Sequence, residues 1–290
     1  MLISTSETTV TQMMMDVVED AGFVKIDLLG LRSLSTLAHC LNLLGKPHDL
    51  SWIPFNDRKT MAMLRRGKPG TGIFQLEGYT AAKGCKELKP KTVRDLILLN
   101  ALYRPATIDH GYTALFIERR ESGDWPKLHP VFDKHLDETY GVPVFQEQVL
   151  AILRDLGMST DKLNDFLTAV KGKHAIGGYS DKSDALVAGA KAEFESLCQA
   201  NGMEAVQIDE AWELVRGFAA YGFNRAHATA YSLLGYQLAY LKVHHPLEFH
   251  TALLATTSGD KQRAYVDEAR RCKQKILRAD VNISGASWTL

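Results

Sequence analysis

The chain has 290 residues, 46% of them hydrophobic and 23% charged, and its 34 basic and 34 acidic side chains cancel to zero; this is globular composition, with enough apolar material for one large core or two modest ones. No run approaches about 18 uninterrupted apolar residues, which excludes a bilayer-spanning helix, and residues 1–18 lack the basic start and apolar run of a signal peptide. Cys40, Cys85, Cys198 and Cys272 form no CxxC pair, so reduced thiols in a cytoplasmic protein are expected rather than zinc ligands.

Val24-Lys25-Ile26-Asp27-Leu28-Leu29 follows Gly22 and reads as a short strand ended by Gly30. Residues 31–44 then read as an amphipathic helix stopped by Gly45 and Pro47. A second extended piece is expected at 72–76. Thr92 is placed to cap a helix carrying Val93, Leu96, Ile97 and Leu99, closed by Arg104-Pro105. Helical period recurs near 109–121, 145–156, 159–170, 182–201, 208–219, 226–243, 247–256 and 260–273. Residues 171–181, with Gly172, Gly177 and Gly178, read as a flexible loop, and the tail 281–290 has too few apolar residues to form a unit. The expected fold class is mainly α (α+β): a short β-containing start and a large helical body.

Zero net charge gives nucleic-acid binding no support from the total, but the distribution is uneven. Lys83, Lys86, Lys89, Lys91 and Arg94 form one basic cluster. Lys261, Arg263, Arg270, Arg271, Lys273, Lys275 and Arg278 form another, with only Asp267 and Glu268 interspersed between them. Such runs are solvated helix faces unless other observations supply a polyanion.

Three constellations could carry chemistry. Period two along the first strand sets Val24, Ile26 and Leu28 toward a core and Lys25, Asp27 and Leu29 on the other face. A carboxylate between Ile26 and Leu28 is costly to bury unless paired or metal-bound. An Asp27–Lys25 pair at a strand edge satisfies that condition; so does an Asp27 that holds Mg²⁺ with Lys25 facing phosphate. In the helix at 226–243, Asn224, His227 and Tyr231 fall within about 60° of one another, and Leu234 and Leu238 continue the stripe. An amide, an imidazole and a phenol there could stack on a base and donate to phosphate, although from spacing alone a helix packing an ordinary mixed face is the commoner explanation. Arg104 is placed to cap its helix end, and Gln146-Glu147-Gln148 reads as a polar helix face.

Seven blocks in order resemble the C family of bacterial replicative DNA polymerases, the DNA polymerase III alpha subunits. Phe23-Val24-Lys25-Ile26-Asp27-Leu28-Leu29-Gly30-Leu31-Arg32-Ser33-Leu34 resembles the family's last palm strand. Gly72-Ile73-Phe74-Gln75-Leu76-Glu77 follows, then Leu88-Lys89-Pro90 with Asp95-Leu96-Ile97 and Ala101-Leu102-Tyr103-Arg104-Pro105. Next come Phe116-Ile117-Glu118-Arg119-Arg120 and Thr139-Tyr140-Gly141 leading into Phe145-Gln146-Glu147-Gln148-Val149. Phe218-Ala219-Ala220-Tyr221-Gly222-Phe223-Asn224-Arg225-Ala226-His227 resembles the family's FAGYGFNKSH, and Tyr236-Gln237 through Glu248-Phe249 the last block.

The resemblance implies a layout: residues 1–32 as the end of the palm, 33–280 as the fingers, and 281–290 as a tail. It implies that Asp27 is one of three metal-binding aspartates, with Lys25 beside it. Arg104, Gln146, Gln148, Lys171, Lys173, His174, Asn224, Arg225, His227 and Tyr231 would face DNA or nucleotide. Arg225 stands at the family's lysine, where a guanidinium keeps the phosphate role. The implied partners are a DNA primer-template and a dNTP, with no membrane.

The sequence also departs from the family. The P-D-x-D-x-D pattern that carries the other two aspartates is absent, as are the Gly-Ser phosphate segment, thumb and phosphoesterase-like domain. Mg²⁺ would then be shared with carboxylates outside this chain, supplied by a second polypeptide that carries the remaining palm. Thr168 and Ala169 stand where the family has two triphosphate-facing arginines, and Arg104-Pro105-Ala106-Thr107 lacks a second proline. Losing both cations would cost several kcal/mol of transition-state stabilisation unless Lys171 or His174 replaces them. The first expectation is therefore part of a polymerase, inactive alone; the alternative is a non-catalytic DNA- or replisome-binding module derived from a fingers domain.

Overall fold

The computed structural model describes residues 2–4, 9–24, 26, 30–67, 71–171, 181–219 and 222–290, apart from the side chains of 2–4, 16, 19, 20, 106, 164, 168, 171, 181–186 and 219. These residues form two compact units, Met1–Arg32 and Ser33–Leu290.

In the first unit, strands β1 (Leu2–Ser4) and β2 (Thr9–Thr11) pair antiparallel, with Leu2 opposite Thr11 and Ile3 opposite Val10. Helix α1 (Met15–Asp20) follows. This two-stranded ladder is the sheet among the described residues, and most of the strand expected at 24–29 lies outside them. Phe23, Val24, Ile26 and Gly30 lie in no strand, and Lys25, Asp27, Leu28 and Leu29 lie outside the described residues. Val24 and Ile26, expected to face a core, are 84% and 77% exposed. A strand buries one face only against a partner element, and a unit this small assembles little core.

The second unit is helical. Helix α2 (Arg32–Leu43) leads into it; then come α3 (Arg58–Arg65), α4 (Tyr79–Leu88) and α5 (Val93–Leu102). Next are α6 (Pro105–Asp109), α7 (Tyr112–Ser122) and α8 (Pro130–Leu136), with a 3-10 turn at Asp137–Thr139. Helices α9 (Gln146–Asp155), α10 (Thr160–Lys171), α11 (Asp181–Ala200) and α12 (Ala205–Ala219) follow. Helices α13 (Arg225–His244), α14 (Pro246–Ala255) and α15 (Lys261–Arg271) complete it. Thr92 caps α5 as the sequence suggests: its hydroxyl accepts from the Asp95 N–H, and the Asp95 carboxylate accepts from the Thr92 N–H.

The stretch at 72–76 is a turn, not a strand. The Glu77 carboxylate accepts the Gly72 N–H at 2.8 Å, and Gln75 takes a positive φ of 62°. Those two features fold an apolar alternation back on itself.

Two hydrophobic cores divide the helical unit. One gathers Phe132, Val149, Ile152, Phe166, Phe194 and Trp212 from α8 to α12. The other gathers Met61, Leu64, Leu96, Leu102, Phe116 and Tyr236 around α3, α5, α7 and α13. Within the second core Phe145 pairs with Phe223 in a short parallel bridge, the Gln146 N–H donating to the Phe223 carbonyl at 2.9 Å. Ahead of that bridge Tyr140 and Gly141 both take positive φ, 54° and 72°. A side chain on Gly141 would sit 2.6 Å from the Trp125 ring, so glycine is required there. The cysteines are free, and burial pushes the Cys40, Cys85 and Cys198 thiols up to about 12, which removes them from reactive chemistry.

Candidate functional site

The first turns of α13 hold a row of stacked side chains. Phe223, His227 and Tyr231 are spaced by four residues, so they rise along one side of the helix. The His227 ring lies over Tyr231 at 3.9 Å between centroids and 31° between planes. Phe223 meets His227 edge-on at 5.4 Å, and the Arg104 guanidinium covers Phe223 at 4.5 Å. At the other end Tyr231 packs on Phe74 at 4.9 Å. His227 is exposed, and Arg104, Phe74, Phe223 and Tyr231 are partly so. A side chain is kept off Gly235 because a Cβ there would sit 2.8 Å from the Phe74 carbonyl oxygen, so this glycine admits the 72–76 turn against α13 and brings Phe74 to Tyr231. Burial pulls the Arg104 pKa below its usual value; the negative face of the Phe223 ring offsets that desolvation. The row offers stacked π-faces, one imidazole and one guanidinium.

Asn224 has a different first task. Its side-chain oxygen accepts the His227 N–H at 2.8 Å, so it caps α13. It remains exposed beside the row. Leu234 and Leu238, the continuation of the same stripe, are buried, so α13 passes from surface to core along its length.

Arg225 leaves the row for the opposite side of α13, entering an open cleft of about 580 Å³. Its guanidinium pairs with Glu138 and lies 4.6 Å over the Phe145 ring. The second Glu138 oxygen pairs with Arg94. The Arg225 backbone N–H donates to both Glu147 oxygens, at 2.9 and 3.0 Å. The two arginines thus share one carboxylate, while Glu147 anchors the start of the helix.

Gln146 and Gln148 also separate. Gln146 is partly exposed and donates to the Gly222 carbonyl at 3.3 Å, tying α9 to the α13 approach. Gln148 is 3% exposed. Its oxygen accepts the Val144 and Phe145 N–H groups, and its amide donates to the His135 carbonyl and the Thr139 hydroxyl. Every hydrogen-bonding position of its side chain is filled internally, so Gln148 braces the turn ahead of α9.

Asp27, Lys25, Lys173 and His174 lie outside the described residues, as does the Lys171 side chain. Ala169, at one of the two missing-arginine positions, packs on the α8–α12 core. Among the described residues no three His, Cys, Asp or Glu side chains converge as metal ligands would, and no helix there is long and apolar enough to cross a membrane. The sequence reading missed Phe74, Phe223, Arg94, Glu138 and Glu147 as site members. The spacing of Phe223, His227 and Tyr231 was available as a signal; the Arg94–Glu138–Arg225 contacts depend on tertiary structure.

A family model described as the bacterial DNA polymerase III alpha subunit finger domain matches residues 33–194. The DNA polymerase III subunit alpha of Thermus aquaticus is 36% identical over 289 residues, covering 95% of this chain and 23% of that protein. That of Bacillus subtilis is 37% identical over 289 residues, covering 97% and 25%, and that of Deinococcus radiodurans 33% identical over 306 residues, covering 99% and 22%. The chain spans about a quarter of the length of these relatives.

Proposed function

The chain belongs to the finger-domain family of the bacterial DNA polymerase III alpha subunit, and from that premise we propose that it forms part of a template-directed DNA polymerase, which joins a nucleotide to a DNA primer end. Residues 1–32 are the end of the palm, 33–280 the fingers and 281–290 a tail. The observation that carries the reading is the row Arg104, Phe223, His227, Tyr231 and Phe74. It presents stacked rings at the surface with one flanking cation, which suits a base or base pair and its phosphates. Base stacking on such a platform is worth about 1–3 kcal/mol per base.

Within this reading His227 and Tyr231 seat the base, while Asn224, held as the α13 cap, and Gln146 line its edge. Arg104, Arg225, Lys171, Lys173 and His174 meet phosphate oxygens of the dNTP or the DNA. Lys171 or His174 takes over from the arginines replaced by Thr168 and Ala169. Asp27, with Lys25 beside it, would share Mg²⁺ with carboxylates from a second polypeptide that carries the remaining palm. The ion would supply charge neutralisation at the phosphates. Among the described residues no three His, Cys, Asp or Glu side chains converge to hold it, and Asp27 lies outside them.

The test is co-expression with a polypeptide carrying the rest of the palm. Primer extension is expected to appear only with both chains and Mg²⁺, and Asp27→Ala is expected to reduce it by at least about a hundredfold, the scale of losing a group that acts on transition-state charge. Extension that survives Asp27→Ala contradicts the assignment of Asp27. Salt-sensitive DNA binding with no extension in any pairing supports instead a non-catalytic DNA-binding module.

A further inference from the structure

Arg225 is held in its cleft by a specific partner. Glu138 sits in the 3-10 turn after α8 and gives one oxygen to Arg225 and the other to Arg94. The Arg225 side chain is 39% exposed and that of Glu138 31%. Behind the guanidinium the Phe145 ring closes one face, and the Arg225 Nε is buried with no hydrogen-bond partner. The Nε side of the guanidinium is thus turned to protein, and Glu138 takes Nη2. A phosphate oxygen and a carboxylate oxygen compete for the same N–H groups.

We infer that Glu138 is a positioning residue that controls Arg225: it orients the guanidinium in the cleft and is the counter-charge with which an incoming oligophosphate competes. Arg94 holds the second Glu138 oxygen, so the carboxylate has a partner to fall back on when Arg225 leaves it. The pair weakens phosphate binding at rest, because a ligand that uses Nη2 has to outbid a carboxylate. The inference rests on the proposal that Arg225 meets phosphate.

The probe is inorganic tripolyphosphate, titrated calorimetrically at low, fixed ionic strength into the full 290-residue chain. Glu138→Gln is expected to tighten binding about five-fold, the scale of a partly exposed ion pair. Asp137→Asn is the charge control: Asp137 lines the same cleft, pairs with Lys127 and touches neither arginine. Removing it is expected to change affinity by less than about two-fold, because a screened exposed charge acts weakly. Glu138→Asp keeps the charge but shortens the reach to both arginines; it is expected to tighten binding in the same direction, and it decides the matter should the glutamine variant not fold.

Adding Arg225→Gln to Glu138→Gln is expected to erase the gain. A gain no larger than that of Asp137→Asn, or one that survives Arg225→Gln, overturns the inference. Loss of binding on Arg225→Gln alone, with no gain on Glu138→Gln, removes the role of Glu138 and leaves Arg225 a phosphate contact. No change on Arg225→Gln alone removes both.

Discussion

In the C-terminal half of α13, Leu234, Tyr236, Leu238, Ala239 and Leu241 are buried, and Ser232 hands its hydroxyl to the Leu96 carbonyl of α5 at 3.1 Å. In the N-terminal turns, Asn224 and His227 are exposed, Tyr231 is partly exposed, and the rings stack on one another instead of on a core. Two of the tyrosines on this helix, Tyr231 and Tyr236, thus have different tasks. Tyr236 donates its hydroxyl to the Pro54 carbonyl at 2.5 Å and accepts the Asp57 N–H at 3.2 Å. Tyr231 touches Phe74 and His227 and keeps part of its surface open. The difference teaches that the buried half fixes the direction in which the exposed half points.

The largest effect follows from breaking the buried half. Tyr236→Ala empties a site that is fully enclosed and is expected to cost about 3–5 kcal/mol of stability, read as a lower midpoint in urea denaturation. Next comes Gly235→Ala, which sets a methyl group against the Phe74 carbonyl. Overpacking of this kind costs about 1–3 kcal/mol. It is also expected to draw Phe74 away from Tyr231 and weaken DNA binding, and so to couple the two halves through one atom.

The smallest effect concerns the far end of α13, where His244 hydrogen-bonds the Asp57 carboxylate at 3.0 Å. Burial pushes the Asp57 carboxyl up, but the bonds from His244 and Thr60 outweigh it and hold it down at about 2. A carboxyl lowered in the folded state stabilises fully above its unfolded pKa of about 3.9 and loses that contribution as pH falls through the folded value. Stability is therefore expected to drop from about pH 4 toward pH 2. Asp57→Asn keeps a cap on α3 while removing the charge, so its denaturation midpoint should fall less steeply over that window.

Much of the helical body was legible because burial follows helical period: α2, α5 and α9 to α15 all match apolar spacing in the sequence. The turn at 72–76 was not, because alternating apolar residues read alike in a strand and in a turn held by Glu77 and a positive φ at Gln75. At the site, the stripe of Asn224, His227 and Tyr231 was visible from spacing alone. Asn224 before a helix is also a cap signal, and the structure gives it that role first. Gln148 looked like its neighbour Gln146 because a polar run on one turn does not say which member points inward. Glu138 was silent for a different reason: Arg94 and Arg225 lie 44 and 87 residues away from it along the chain.

The most direct measurement is equilibrium binding of primer-template DNA by the full chain, wild type against Tyr231→Ala, over a range of salt. If the row on α13 stacks on a base, Tyr231→Ala lowers affinity about five- to a hundredfold at every salt concentration. The salt slope stays unchanged because no phosphate contact is lost, and the urea midpoint moves little. Affinity equal to wild type in the folded variant, or a loss that appears only as a reduced salt slope, contradicts the account.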